Sequence, residues 1–274
     1  PKEAKPLLEN FLKEDGANKD ITSNMLINKK KTGAVSINAR EEMVFCGTPI
    51  IQNIFSKKVK TKMMCKEGDQ LKKSTTIAEL SGSMHEILIK ERVLLNLIQR
   101  MSGISTLTNQ YVKKLNSKNI HILDTRKTTP GMRLFEKYAV NIGGGSNHRL
   151  NLSSGILIKD NHLAMIQKDV WGLKKLKQTN KPIQIEIDDI SQITEKNIKL
   201  ANGYLLDNMT PSKIVRCIKK INQLKIKNKK IFIEVSGGIN IQTIHRFNIK
   251  GVNGLSVGAL THQAQSIDIG LDIK

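Results

Sequence analysis

The sequence predicts an α/β protein in two parts: a sandwich-like N-terminal α+β domain and an open, incomplete TIM-like α/β barrel. Three observations carry that expectation. From about residue 120, short β-branched runs recur, each closed by a polar residue or glycine and followed by a helix-compatible stretch. Such alternation implies right-handed crossovers and a parallel sheet. The first hundred residues show no such alternation, which points to a separate α+β unit. Between them lies one long segment with an apolar stripe at helical spacing.

In chain order, Leu7 to Lys13 suits a short helix, while Val35–Ile37 and Met43–Phe45 suit strands. Glu67-Gly68-Asp69 is a turn between short strands, and the Thr75–Leu80 run follows it. Roughly His85 to Leu115 reads as a connecting helix. Leu94, Leu97, Ile98 and Met101 form its apolar stripe; Arg92, Asn96, Gln99 and Gly103 form a polar one. On periodicity alone Arg92 is a solvated helix face.

The barrel runs follow. His121–Leu123 ends at Asp124, Ile156–Ile158 at Lys159, and Ile183–Ile187 at Asp188. Tyr204–Leu206 ends at Asp207, Ile231–Val235 at Ser236-Gly237-Gly238, and Leu255–Val257 at Gly258. Barrels of this class place their chemistry at the carboxyl ends of strands. Arg126, Lys127, Lys159, Glu186, Asp207, Ser236 and Gly258 all fall there. Six runs are too few for a standard eightfold barrel, so an incomplete one is expected, with a doubly wound sheet as the competing arrangement. The boundaries read as 1–110 for the N-terminal domain and 111–261 for the barrel.

Composition bounds the function. With 39% hydrophobic and 25% charged residues over 274 positions, the chain can bury a core and is not a disordered type. No apolar run approaches the ~18 residues of a membrane span. Its first residues show neither a basic nor an apolar signal region, so no secretory signal is expected. Cys46, Cys65 and Cys217 are odd in number and far apart, which points to a reducing, cytoplasmic compartment without disulfides or a zinc cluster. The six histidines lack metal-ligand spacing. A net charge of +21 raises nucleic-acid binding as an alternative. Most of the excess is lysine in solvated runs such as 29–31 and 225–230, and aromatics are only 4%, so a generally basic surface is the simpler reading. Met63, Met64 and Trp171 read as packing residues.

The densest signal lies between Asp124 and His162, where eight cationic or imidazole side chains surround glycine-rich turns against three acidic residues. Arginine and lysine bind phosphate and carboxylate by charge-assisted hydrogen bonds, and glycine lets backbone N–H groups approach an anion. The stretch suits a small, multiply charged anion. Lys159-Asp160 would be part of it, and His162 reads equally as functional or as orienting the lysine's loop.

The ordered set of motifs resembles the quinolinate phosphoribosyltransferase family, the carboxylating nicotinate-nucleotide pyrophosphorylases. It comprises Asp20–Ser23, Glu91-Arg92, Leu95-Asn96, Ser102–Thr106, Asp124–Gly131, Glu136–Val140, Gly143–Gly145, Asn147–Arg149, Leu157–His162, Leu206–Met209, Glu234–Ile239 and Ser256–Thr261. The resemblance spans nearly the whole chain. It implies transfer of phosphoribose from phosphoribosyl pyrophosphate to quinolinate with decarboxylation, in NAD biosynthesis. It implies that the C-terminal tail, 262–274, rejoins the N-terminal domain. It also implies homodimers, open to larger assembly, in which Arg92 of a partner subunit completes each site. Arg126, His148, Arg149 and Lys159 would then hold quinolinate. Lys127, Glu186, Asp207, Ser236, Gly237, Gly238, Gly258 and Ala259 would hold phosphoribosyl pyrophosphate, with Glu186 and Asp207 reaching Mg²⁺ through water or substrate. Lys127, Lys159, Glu186 and Asp207 would form the catalytic set. Three residues depart from the family's common pattern: Gln184 for a second glutamate, and Lys19 and Asn151 for glycine. A relative that takes nicotinate without decarboxylation is the nearest alternative; the dense arginine set favours a dicarboxylate.

Overall fold

A computed structural model describes residues 3–159, 161–162, 165, 175–176, 178–224 and 229–274. Asp160, Trp171 and residues 225–228 of the second lysine run lie outside the described residues. The chain divides into two compact units. The first comprises Pro1–Asn109, Thr128–Gly144 and Leu260–Lys274; the second comprises Gln110–Lys127 and Gly145–Ala259.

In the first unit, helices α1 (Ala4–Glu14) and α2 (Ile21–Leu26) precede the sheet, and α3 (Thr48–Ile54) lies between its strands in the chain. Asp20 caps α2, its carboxylate accepting from the backbone N–H and hydroxyl of Ser23. Strands β1 (Thr32–Ala39), β3 (Val59–Met63), β5 (Thr76–Ser83) and β12 (Ile269–Ile273) form an antiparallel sheet in the order β12-β1-β5-β3. Val35, Ile37 and Ala39 alternate onto its buried face, as a period of two requires. Sequence patterning misses β12, because Gly270 interrupts its β-branched signal. That glycine admits Arg40, whose Nε lies 2.5 Å from where a Cβ would sit. The same Arg40 pairs with Asp272, and Asn38 donates to Asp272 at 2.7 Å, so the tail strand is tied to β1 by side chains too.

Helix α4 (Met84–Leu115) matches the predicted connecting helix. Leu94, Ile98, Met101 and Ile104 are almost fully buried along one stripe, each contributing about 1.5–3 kcal/mol by transfer from water. Among the described residues the short strand β2 (Met43–Val44) pairs with β4 (Gln70–Leu71) alone, and helix hydroxyls take up backbone groups this leaves. Ser105 donates to the Val44 carbonyl, while Thr106 and Ser102 accept from the N–H groups of Val44 and Cys46. The polar stripe is only half solvated. Arg92 and Asn96 are exposed, but the Gln99 side chain donates to the Ile269 carbonyl and the Gln99 backbone carbonyl accepts from the Ile267 N–H. Gly103 lets the tail pass so closely that a Cβ would stand 1.9 Å from the Gln265 carbonyl oxygen. Arg100 donates to the carbonyls of Thr261 and Ala264 and pairs at 2.8 Å with Glu136, a fully buried carboxylate on α5 (Arg133–Ile142).

The second unit holds six parallel strands: β6 (His121–Leu123), β7 (Ile156–Ile158), β8 (Ile183–Ile187), β9 (Gly203–Asp207), β10 (Phe232–Ser236) and β11 (Gly254–Ser256). Their order is β6-β11-β10-β9-β8-β7. Strands β7 to β11 therefore lie side by side in chain order, and β6 flanks the last of them. A doubly wound sheet reverses its strand order at a switch point; this one does not. It is the winding of a barrel left open between β6 and β7. At that opening Ser146 bridges Leu123, and its backbone exchanges hydrogen bonds with Ile122 and Asp124.

Candidate active site

Strand alternation builds the site. On β8, β9 and β10 the residues Ile185, Tyr204, Leu206 and Val235 are buried on one face. Their neighbours Glu186, Asp207, Glu234 and Ser236 turn to the other, where they line a cavity of about 390 Å³. That volume is typical of a small-molecule site. The ends of β6 and β7 add Asp124 to Lys127 and Lys159; the loop after β6 adds His148 and Arg149. Ionisable residues on the inner face, with Leu157 and Leu205 between them, mean that the interior of this open barrel is a binding surface, not a packed core.

Of the sequence-predicted residues, Arg126, Lys127, His148, Arg149, Lys159, Glu186, Asp207 and Ser236 share this cavity. Gly237, Gly238, Gly258 and Ala259 follow directly on β10 and β11 and are not among its lining residues. Arg92 stands exposed on α4. Lys159 reaches Glu186 at 3.0 Å, and its backbone N–H donates to His162 Nδ1 at 3.0 Å, so His162 braces the start of the lysine's loop. Arg149 donates to the Gly155 carbonyl at 3.1 Å. Burial, and then the like charge of Arg126, push the Arg149 guanidinium below its usual range, with Glu186 opposing. A bound anion would relieve the repulsion between these two cations.

Four organising residues have no role in the sequence reading. Asp124 is fully buried and accepts from the His148 N–H at 2.9 Å and from Asn147 Nδ2 at 2.6 Å, fixing the loop that carries His148 and Arg149. Glu234 is 1% exposed, accepts from Ser256 and from Gln184 Nε2, and faces His148. Burial acts most strongly on Glu234 and pushes its carboxyl up, but the hydrogen bond and charge of His148, with Ser256 and Gln184, together hold it below the ordinary range. Asp188 brings a carboxylate oxygen within 4.8 Å of those of Glu186 and Asp207. Asn208 donates to Asp207 at 2.7 Å, and its side-chain oxygen stands 2.1 Å from where a Cβ on Gly237 would sit. Gly237 has φ +89, so both shape and backbone demand glycine there. Asp188 was legible as the residue closing a β run. Asp124, Glu234 and Asn208 stand inside the motifs and give no separate signal.

Two family models account for nearly all of the chain. The quinolinate phosphoribosyl transferase C-terminal domain matches residues 104–272, and the N-terminal domain of the same family matches residues 20–102. The chain belongs to the quinolinate phosphoribosyltransferase family. Within that family it is 41% identical to the probable nicotinate-nucleotide pyrophosphorylase [carboxylating] of Bacillus subtilis (strain 168), covering 98% of this chain and 93% of the relative. The probable nicotinate-nucleotide pyrophosphorylase [carboxylating] of Methanocaldococcus jannaschii is 36% identical over 97% and 96% of the two chains. The crystal structure of nicotinate-nucleotide pyrophosphorylase from Ehrlichia chaffeensis superposes with a TM-score of 0.87 at 38% identity, covering 98% of both. Among the described residues no helix is long and apolar enough to cross a membrane.

Proposed function

We propose that the mouth of the open barrel binds quinolinate beside phosphoribosyl pyrophosphate and joins them with loss of CO₂. The activity is that of the quinolinate phosphoribosyltransferase family: phosphoribosyl transfer with decarboxylation, giving nicotinate mononucleotide for NAD biosynthesis. The observation that carries the residue assignments is the convergence of Arg126, Lys127, Arg149 and Lys159 with Glu186 and Asp207 in one cavity. Quinolinate carries two adjacent carboxylates and its co-substrate several phosphates, so several fixed cations are needed to offset their repulsion. Planar arginine forks suit carboxylates. Arg126, Arg149 and His148 take the quinolinate side, with Lys159 between the substrates and Arg92 supplied by a partner subunit in a homodimer.

On the other wall, Lys127 faces pyrophosphate, and Glu186 and Asp207 orient the ribose hydroxyls. Backbone N–H groups of Ser236, Gly237 and Gly238, with those of Gly258 and Ala259, cradle the 5′-phosphate. Glu186, Asp188 and Asp207 offer three hard carboxylate oxygens within 4.8 Å of one another, a donor set suited to Mg²⁺. Bound there, the ion would neutralise charge on the pyrophosphate oxygens.

In the reaction the C1–O bond to pyrophosphate breaks, its electron pair leaving with pyrophosphate while Lys127 and Lys159 stabilise the departing charge. The quinolinate nitrogen donates its lone pair to C1. The nitrogen becomes a pyridinium, and the adjacent carboxylate leaves as CO₂. Its bonding pair stays on the ring carbon, which then takes a proton from solvent. No side chain acts as a nucleophile; the residues contribute positioning and electrostatics. The three free thiols fit a reducing compartment, which this reading takes to be the cytoplasm.

Calorimetry on the wild-type protein and the Arg149→Ala variant tests the quinolinate assignment. Quinolinate should bind at least about tenfold more tightly than nicotinate, and the variant should lose about tenfold or more for quinolinate. Equal affinity for the two acids would sink the assignment.

A further inference from the structure

We propose that Glu234 is a positioning residue that holds His148 in the mouth as a cation, with Gln184 and Ser256 fixing the carboxylate that does so. The proposal rests on the reading of His148 as a quinolinate contact and adds how that contact is kept charged. Glu234 is a buried interior residue of β10, and both of its oxygens are engaged. Ser256 on β11 donates to Oε1, while Gln184 on β8 donates to Oε2 at 2.7 Å. His148 Nε2 lies 3.3 Å from Oε2 and 3.2 Å from Gln184 Oε1.

The orientation of the amide is forced. A Gln184 oxygen turned to Glu234 would meet a carboxylate, so its nitrogen must face Glu234 and its oxygen His148. His148 Nε2 therefore faces two acceptors and must carry a hydrogen whether the ring is neutral or charged. The proton that comes and goes is the one on Nδ1. A buried carboxylate with no cation beside it is costly, and the ring is placed to be that cation.

The other charged groups lining the mouth act in both directions. Arg126, Lys127, Arg149 and Lys159 oppose a protonated ring; Asp124, Glu186 and Asp207 favour it. Glu234 is the carboxylate in contact with Nε2, and its removal takes away the nearest of the groups that favour the charged ring. A neutral ring would no longer offset the charge of a dicarboxylate.

The test is nitrogen NMR of the full chain with labelled histidine, the His148 signals being identified by their loss in His148→Ala. In the wild type, the neutral ring should be the Nε2–H tautomer. In Glu234→Gln, the His148 midpoint should fall by about one pH unit or more. Kinetics should follow: the KM for quinolinate rises about tenfold at pH 8 and returns toward the wild-type value near pH 6. The KM for phosphoribosyl pyrophosphate should stay within about twofold, because this pair faces the other substrate. An Nδ1–H tautomer in the wild type, which needs no variant to fold, or an unmoved midpoint in Glu234→Gln overturns the proposal. An unchanged quinolinate KM in His148→Ala would instead overturn the substrate role given to His148.

Discussion

Asp124 holds the loop that follows β6 through the His148 N–H and the Asn147 amide. Replacing it with asparagine keeps the shape but turns a charged acceptor into a neutral one, which costs about 1–3 kcal/mol at a buried site. The quinolinate KM of Asp124→Asn should rise about tenfold in steady-state kinetics, with the phosphoribosyl pyrophosphate KM little changed. Glu234 carries a second prediction. Its folded carboxyl lies below the ordinary value of 4.5, so it stabilises the fold fully above that value and progressively less as pH falls through the lowered folded value. Thermal melts from pH 5 downward should therefore lose stability less steeply in Glu234→Gln than in the wild type; parallel slopes would contradict the pairing. At this scale the cations were legible in the sequence, because arginine and lysine at strand ends have few structural uses. The buried carboxylates were not. Glu234 meets its partners 22, 50 and 86 positions away, and only folding brings them together.

Elements carry the glycine constraints. At Gly237 a side chain would need a left-handed backbone and would strike Asn208. Gly237→Ala should cost about 1–3 kcal/mol, seen as a melting midpoint several degrees lower, and should raise the KM for phosphoribosyl pyrophosphate more than that for quinolinate. At Gly103 the added Cβ would meet the Gln265 carbonyl. Gly103→Ala should lower the melting temperature by a similar amount through overpacking while leaving the two KM values nearly equal to the wild type. Denaturation monitored by circular dichroism checks both. The barrel strands were readable because short β-branched runs ending in polar residues leave little room for a helix; β7 and β8 fall where the pattern puts them. β3 was legible only as a short strand without bounds before the Glu67-Gly68-Asp69 turn, since lysines interrupt it, and β12 was not legible, since Gly270 interrupts it. The polar stripe of α4 divides in a way that spacing does not reveal: Gln99 and Gly103 serve the tail, while Arg92 and Asn96 face water.

The winding of the six strands, in chain order and open between β6 and β7, makes the barrel mouth a single place where cations and carboxylates meet. Alternation in the sequence implied a parallel sheet but left barrel and doubly wound sheet open, because strand order depends on contacts far apart in the chain. The proposed homodimer with shared sites makes its own prediction. Arg92→Ala and Lys159→Ala should each be nearly inactive, and after subunit exchange a mixed population should regain part of the activity; no recovery despite demonstrated exchange would contradict the sharing. The most direct measurement is CO₂ release from quinolinate labelled in the carboxylate beside the ring nitrogen, with Mg²⁺ and phosphoribosyl pyrophosphate present. Labelled CO₂ should appear in step with nicotinate mononucleotide and only when the co-substrate is added. Turnover of nicotinate alone, with no CO₂ from quinolinate, would contradict the assignment of this mouth to a pyridine dicarboxylate.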